Sequence, residues 1–242
     1  MALLINTAVF LTELQAGQRQ SELLLRLHDF PISGVQVRGE FMGEDPADEL
    51  EKLTVYCQEQ GWELHYSVPE ALFIDGEVNP HLGDYLQMAK TYQLASLKFS
   101  LGLTTPEAIA SAREQIKASE VVVTVENEGN DHGTEANLQE VLPQITEGQQ
   151  IGFTFDAGNW YWVSKNYNVP ALFKHLKPYV TVLHLKNIDV SALETTLLAE
   201  GDTDWQALVS QNNAEVPIFL EYAIPQDQLA AEIQLVTDAM SA

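Results

Sequence analysis

Basic residues are scarce in this chain: 12 Lys and Arg stand against 35 Asp and Glu, for a formal net charge of −23. A surface so acidic repels nucleic-acid phosphates and anionic lipid, so neither nucleic acid nor membrane is expected as a partner. Cysteine is nearly absent. Cys57 alone cannot build a disulfide framework, and its expected role is that of a small apolar residue packed behind a helix. No apolar run reaches the ~20 residues of a membrane-spanning helix. The opening residues, MALLINTAVFLTEL, lack the basic region and the small-residue cleavage site of a secretory leader, and a soluble cytoplasmic protein is expected. Also missing are GxGxxG after the first apolar run and GxxxxGK[ST] anywhere, which argues against dinucleotide and nucleotide cofactors. No linker rich in Pro, Gly or Ser divides the chain, so residues 1–242 are expected to form one domain.

What is present is a repeat of one pattern. Residues 121–126 (VVVTVE), 151–156 (IGFTFD) and 216–221 (VPIFLE) are apolar, β-rich runs that end on an acid, and residues 180–189 (VTVLHLKNID) turn polar at His184, Lys186 and Asn187. The terminal polar residues Glu126, Asp156, His184 and Glu221 are 30, 28 and 37 positions apart, intervals that suit one strand, one helix and two loops. Strands beginning near 4, 35, 63, 95, 121, 151, 181 and 217 make eight such units in 242 residues. That is close to the roughly 250 residues of a small (β/α)8 barrel. With 45% apolar residues to fill a core and no antiparallel hairpin expected between the units, the predicted fold class is α/β, a single (β/α)8 TIM barrel.

The helices carry their own signals. Residues 12–29 place Leu23, Leu24, Leu25 and Leu27 at a spacing suited to a covering helix. Asp45-Pro46 opens a second helix that Gly61 closes, Thr105-Pro106 opens another, and Asp204 or Asp202 caps one beginning near Trp205. Residues 157–168 (AGNWYWVSKNYN) form an aromatic-rich loop that is costly to expose unless it covers a ligand or meets a partner chain.

In a closed βα barrel the C-terminal strand ends share one mouth, so Glu126, Asp156, His184 and Glu221 are expected to converge. Residue parity turns them inward together with Thr124, Thr154, Val182 and Phe219. Three buried carboxylates repel one another unless a cation lies among them. Their oxygens and one imidazole nitrogen form a shell suited to one divalent metal ion: Mn²⁺, Co²⁺, Zn²⁺ or Mg²⁺. Lys98 and Lys186 stand where each could hold a substrate oxyanion, carboxylate or phosphate, or else pair with the acids. Arg38, with Glu40 at the end of the second strand, and His65 at the end of the third are substrate-contact candidates; a rim ion pair is the other reading of Arg38. Trp160, with Tyr161 and Trp162, could exclude water or stack on a sugar face, and a buried subunit contact explains the same residues.

VQVRGE, VTVENE, FTFDAGNW, VLHLKN, GDTDW and IFLEY, spread over nearly the whole chain, resemble the xylose-isomerase-like TIM barrel superfamily, in particular its sugar-phosphate isomerase/epimerase branch. The resemblance implies the metal ligands Glu126, Asp156, His184 and Glu221, with Glu126 and Glu221 also serving as the catalytic acid and base on opposite sides of the substrate. Where that branch has a substrate-touching histidine three residues after the aspartate, this chain has Asn159. Where it often has an aspartate after the seventh-strand lysine, this chain has Asn187. The resemblance also implies a homodimer. The expected function is a divalent-metal-dependent isomerase or epimerase acting on a small carbohydrate or sugar phosphate. A proton next to a carbonyl is removed and a metal-stabilised enediolate is formed. The other readings are a metal-dependent dehydratase or lyase of a related polyol or keto-sugar and a catalytically silent sugar-binding or regulatory barrel.

Overall fold

The alternation of apolar and polar residues along each strand is resolved as an outside and an inside. A computed structural model describes residues 1–241. Eight parallel strands close into a barrel surrounded by helices: β1 (Leu3–Asn6), β2 (Gly34–Arg38), β3 (Glu63–Ile74), β4 (Ser96–Gly102), β5 (Val123–Glu126), β6 (Ile151–Asp156), β7 (Val180–Leu185) and β8 (Ile218–Leu220). Each pairs with the next in chain order, and β8 returns to β1 through Leu4↔Phe219, which removes every edge from the parallel sheet.

One parity of the strands packs against the helices. Val35, Val37, Leu97, Phe99, Val123, Val125, Phe153, Phe155, Leu183, Ile218 and Leu220 are all buried in that layer. The other parity fills the barrel interior and is largely polar. Below the strand ends several of its groups are paired: Asn6 Nδ2 donates to Gln36 Oε1 at 2.7 Å, Thr154 Oγ1 to Thr124 Oγ1 at 2.8 Å, and His65 Nδ1 lies 2.8 Å from Ser96 Oγ.

Helix ends follow the local chemistry read from the sequence. Asp45, Thr105 and Asp204 each accept a backbone N–H of the first turn, and Gly61 closes the helix Pro46–Gln60 at φ 68°. Cys57 lies inside that helix, 1% exposed, with burial pushing its thiol up to about 12. A disulfide reagent such as Ellman's reagent is therefore expected to leave the native protein unmodified and to titrate one thiol after denaturation; rapid reaction of native protein would refute this packing.

Several elements differ from their expected form. Residues 12–29 do not make one helix. Gly17 at φ 85° breaks the segment into short turns, Leu11–Gln15, Gln20–Leu23 and the 3-10 turn Leu24–Leu27. β1 ends at Asn6 because Asn6 Oδ1 accepts the N–H of Ala8 and starts a 3-10 turn. Two antiparallel hairpins also break the pure βα pattern. β3 runs on past a bulge at Ser67/Ala71 and folds back through Asp75-Gly76, at φ 53° and 84°, onto Glu77–Val78. An Asp-Gly between β-forming residues is a strong hairpin signal, and it was present in the sequence. The polar run after His184 is not a continuation of β7: Asn187–Asp189 pairs antiparallel with Glu194–Thr196. Among the described residues no helix is long and apolar enough to cross a membrane.

Candidate metal centre and its cavity

The residues singled out by spacing stand at the C-terminal ends of four barrel strands or within one residue of them, and the closed barrel turns all four to one point. Ligand-capable atoms of Glu126, Asp156, His184 and Glu221 lie within 4.8 Å of one another, and all four side chains are buried. Each has a distinct anchor. Glu126 Oε2 accepts from Lys98 Nζ at 2.9 Å, and Glu221 Oε1 accepts from Arg38 Nη1 at 2.9 Å and Asn6 Nδ2 at 3.1 Å. Asp156 Oδ1 accepts the backbone N–H groups of Gly158 and Asn159, both at 2.8 Å, which starts the short helix Asn159–Val163 and orients the carboxylate. His184 Nδ1 faces Glu126 Oε1 at 2.8 Å and Glu221 Oε2, while its ring leans on Phe219 with centroids 5.4 Å apart.

The donor set fits a divalent cation. Glu126 Oε1 and Asp156 Oδ2 are buried without a hydrogen bond. Each meets a cation at ion-pair distance, Asp156 Oδ2 at 2.7 Å from Lys186 Nζ, but outside hydrogen-bond alignment. Buried oxygens left this way carry a desolvation cost that a cation among them would offset. Three carboxylates and an imidazole match Mn²⁺, Co²⁺, Zn²⁺ or Mg²⁺, and the set does not discriminate among them.

Burial dominates the electrostatics, and the neighbours decide each sign. For Asp156 burial wins, and the carboxyl is pushed up to about 6 against the pull of Lys186. For Glu126 burial is outweighed by Lys98, and for Glu221 by His184 and Lys186, so both stay below the usual carboxylate range. His184 is raised to about 9: burial would lower it, but the facing Glu221 and Glu126 favour the imidazolium.

Above these four groups opens a cavity of about 390 Å³ lined by Arg38, Glu40, Ser67, Lys98, Ser100, Asn159 and Lys186, with Glu126 and Glu221 at its wall. A larger groove of about 720 Å³ lies at the opposite end of the barrel, along residues such as Val122, Gly152 and Thr181, and no candidate metal ligand lines it. Arg38, Lys98, Lys186 and Asn159 are thus brought to the mouth. Arg38 also holds Glu40 at 2.6 Å, Lys186 also approaches Glu221 Oε2 at 3.9 Å, and Asn159 Nδ2 donates to Asn127 O at 2.9 Å. Gly158 leaves room for the Lys186 stem; a Cβ there would collide with it.

Two expected substrate contacts are not brought to the cavity. His65 lies deeper in the barrel, engaged by Ser96, by Glu63 Oε2 at 3.2 Å and edge-on by Phe219. Its sequence position hid this, because β3 continues to Ile74 and His65 is near the start of the strand rather than its end. Trp160 is fully buried between Phe155 and Tyr167 and belongs to the core. Tyr161 is buried as well, and of the three aromatics only Trp162 is exposed, so this chain itself meets most of the cost of the segment. Asn187 is a loop latch rather than a cavity residue. Its Oδ1 accepts from Ile188 N and Thr203 N, and its Nδ2 donates to Leu198 O, fixing the excursion after β7.

One positioning residue was missed. Asn127, fully buried after Glu126, grips the Asp156 main chain on both sides, accepting from its N–H at 2.7 Å and donating to its carbonyl at 3.1 Å. It extends the β5–β6 ladder by a side chain and ties two candidate ligands together. Asn127→Ala is expected to weaken Mn²⁺ affinity about 10- to 100-fold by calorimetry, and an unchanged affinity would remove this role. The sequence signal was an Asn directly after a strand-terminal acid.

No protein-family model and no curated protein matches the sequence. Solved structures match closely in shape. The probable 3-DHS dehydratase AsbF, involved in petrobactin synthesis, from Bacillus anthracis has TM-score 0.78 and 15% identity over 98% of this chain and 99% of that one. The IOLI protein with a binding zinc atom gives 0.73 at 13% identity, over 100% and 98%. A D-psicose 3-epimerase with D-tagatose from Clostridium cellulolyticum H10 gives 0.71 at 10%, over 100% and 98%. Further structures of this shape are xylose isomerase domain proteins, and identities this low establish a shared barrel architecture.

Proposed function

On the premise that the chain has the fold of the xylose-isomerase-like barrels, we propose that it is a divalent-metal-dependent isomerase or epimerase that moves a proton beside the carbonyl of a small sugar or sugar derivative. The observation that carries this reading is the convergence of four buried donor side chains, two of which, Glu126 and Glu221, line the wall of a cavity of sugar size. When bound, a divalent cation supplies positive charge against the negative charge that develops on substrate oxygens. Glu126 and Glu221 come from β5 and β8, on the two flanks of the ligand arc. Their neighbours favour the ionised form of both, as a base needs: Lys98 at Glu126, His184 and Lys186 at Glu221. One removes the proton; the other, once it has taken a proton from solvent, gives that proton to the opposite face, which is epimerisation, whereas return of the abstracted proton by the first glutamate to the adjacent carbon is isomerisation. Asn159 and Lys186 line the cavity where substrate hydroxyls would be oriented.

Dehydration begins with the same proton removal, and the structural match to a protein described as a probable dehydratase supports it as the second reading. Incubation of the Mn²⁺-loaded protein with keto- and aldo-sugars, sugar acids and sugar phosphates in D₂O separates the two by mass spectrometry. An epimerase or isomerase leaves substrate and product of equal composition carrying solvent deuterium. A dehydratase releases a product lighter by one water. Metal-loaded protein that exchanges no proton on any of these compounds would overturn the proposal in favour of a silent barrel.

A further inference from the structure

We propose that the cavity is built for a substrate carrying one carboxylate, held by Arg38, Ser67 and Lys98; this rests on the metal-dependent reading of the same site and narrows its substrate class. In register, Arg38 pairs with Ser67 across β2 and β3, and Ser67 pairs with Lys98 across β3 and β4. The three side chains therefore project side by side from adjacent strands, and all three line the cavity on the side away from β6 and β7, where Asp156 and His184 lie. A guanidinium, a hydroxyl and an ammonium in one row offer donors to both oxygens of a carboxylate. Ser67 Oγ makes no hydrogen bond among the described residues, although the residue is buried.

Charge balance points the same way. The chain has only 12 basic residues, and three of them, Arg38, Lys98 and Lys186, line this one cavity. With Glu40, Glu126, Asp156 and Glu221 they leave one net negative charge once His184 has given up its proton to ligate a cation. A divalent cation would turn that into one net positive charge around the cavity, which a monoanion neutralises and an uncharged sugar does not. A proton passed between the substrate and a glutamate leaves this total unchanged, so the balance has to come from the substrate itself. A phosphate dianion would overshoot it.

Calorimetric titration of the Mn²⁺-loaded chain with D-gluconate, D-glucitol and D-glucitol 6-phosphate tests the proposal without requiring turnover. Gluconate is expected to bind about tenfold more tightly than either of the others. Lys98→Met is expected to abolish the preference, and Ser67→Ala, which alters no charge, to reduce it to about threefold. Mn²⁺ loading is followed by electron paramagnetic resonance in every sample. Equal binding of gluconate and glucitol at full loading overturns the carboxylate site and leaves the metal-dependent reading standing, and so does tighter binding of the phosphate. A preference that persists in both variants places the carboxylate on the metal and likewise overturns the proposed row. Failure of the wild-type chain to take up any divalent ion would overturn the reading on which the proposal rests. If Lys98→Met does not fold, Ser67→Ala alone decides the role of the row.

Discussion

Glu221→Gln and Glu126→Gln are each expected to slow proton exchange by about 10²- to 10⁴-fold at saturating Mn²⁺, the range lost when a positioned acid or base is removed. Glutamine keeps the shape of the side chain. Its amide oxygen can still accept from Arg38 and Asn6 at position 221, or from Lys98 at position 126, so the local hydrogen bonds have a substitute. What disappears is the ability to take a proton, together with one anionic ligand, so Mn²⁺ affinity is measured in the same samples and turnover is compared at full loading. Circular dichroism and thermal melting confirm that each variant is folded. Undiminished exchange in either fully loaded variant would remove that glutamate from the reaction.

Divalent metal is expected to raise the melting temperature by about 10 °C when present at about 1,000 times its dissociation constant. Mass action at that excess stabilises the folded state by about 4 kcal/mol, and a chain of this length melts about 2–4 °C higher per kcal/mol. The physical source is the crowding of Glu126, Asp156 and Glu221, whose mutual repulsion and burial a cation relieves. Scanning calorimetry in Mn²⁺ against EDTA measures the shift, and Asp156→Asn is expected to remove most of it. At fixed Mn²⁺ concentration the shift is also expected to shrink between about pH 7 and about pH 5, because Asp156, whose carboxyl burial pushes up to about 6, takes up a proton in that range in competition with the cation. Identical melting in metal and in chelator would show that the four donors do not bind an ion.

The barrel and the convergence of its acids were legible in the sequence because both depend on local signals. A strand-length apolar run at each interval of about thirty residues specifies a βα unit, and eight of them leave little alternative to closure. Parity then turns Glu126, Asp156, His184 and Glu221 inward without further information. The misses have the opposite character. His65 fails as a cavity residue because the length of β3 is set by its pairing with β4 and by the hairpin beyond. Trp160 fails because its segment folds into a helix against Phe155 and Tyr167, contacts made by residues that the local pattern does not rank. Asn187, which departs from the branch's usual residue, proves to be a latch on Leu198 and Thr203.

The sequence by itself determined the number of barrel strands, several helix caps and the identity of the four inward donors, since each follows from composition and spacing over a few residues. The tertiary structure alone decided which cation holds which carboxylate, that Asn127 binds two ligand-bearing strands together, and that Arg38, Ser67 and Lys98 stand in one row. These depend on register between strands far apart in the chain, and a shift of one residue in any pairing would turn the side chain to the other face of the sheet.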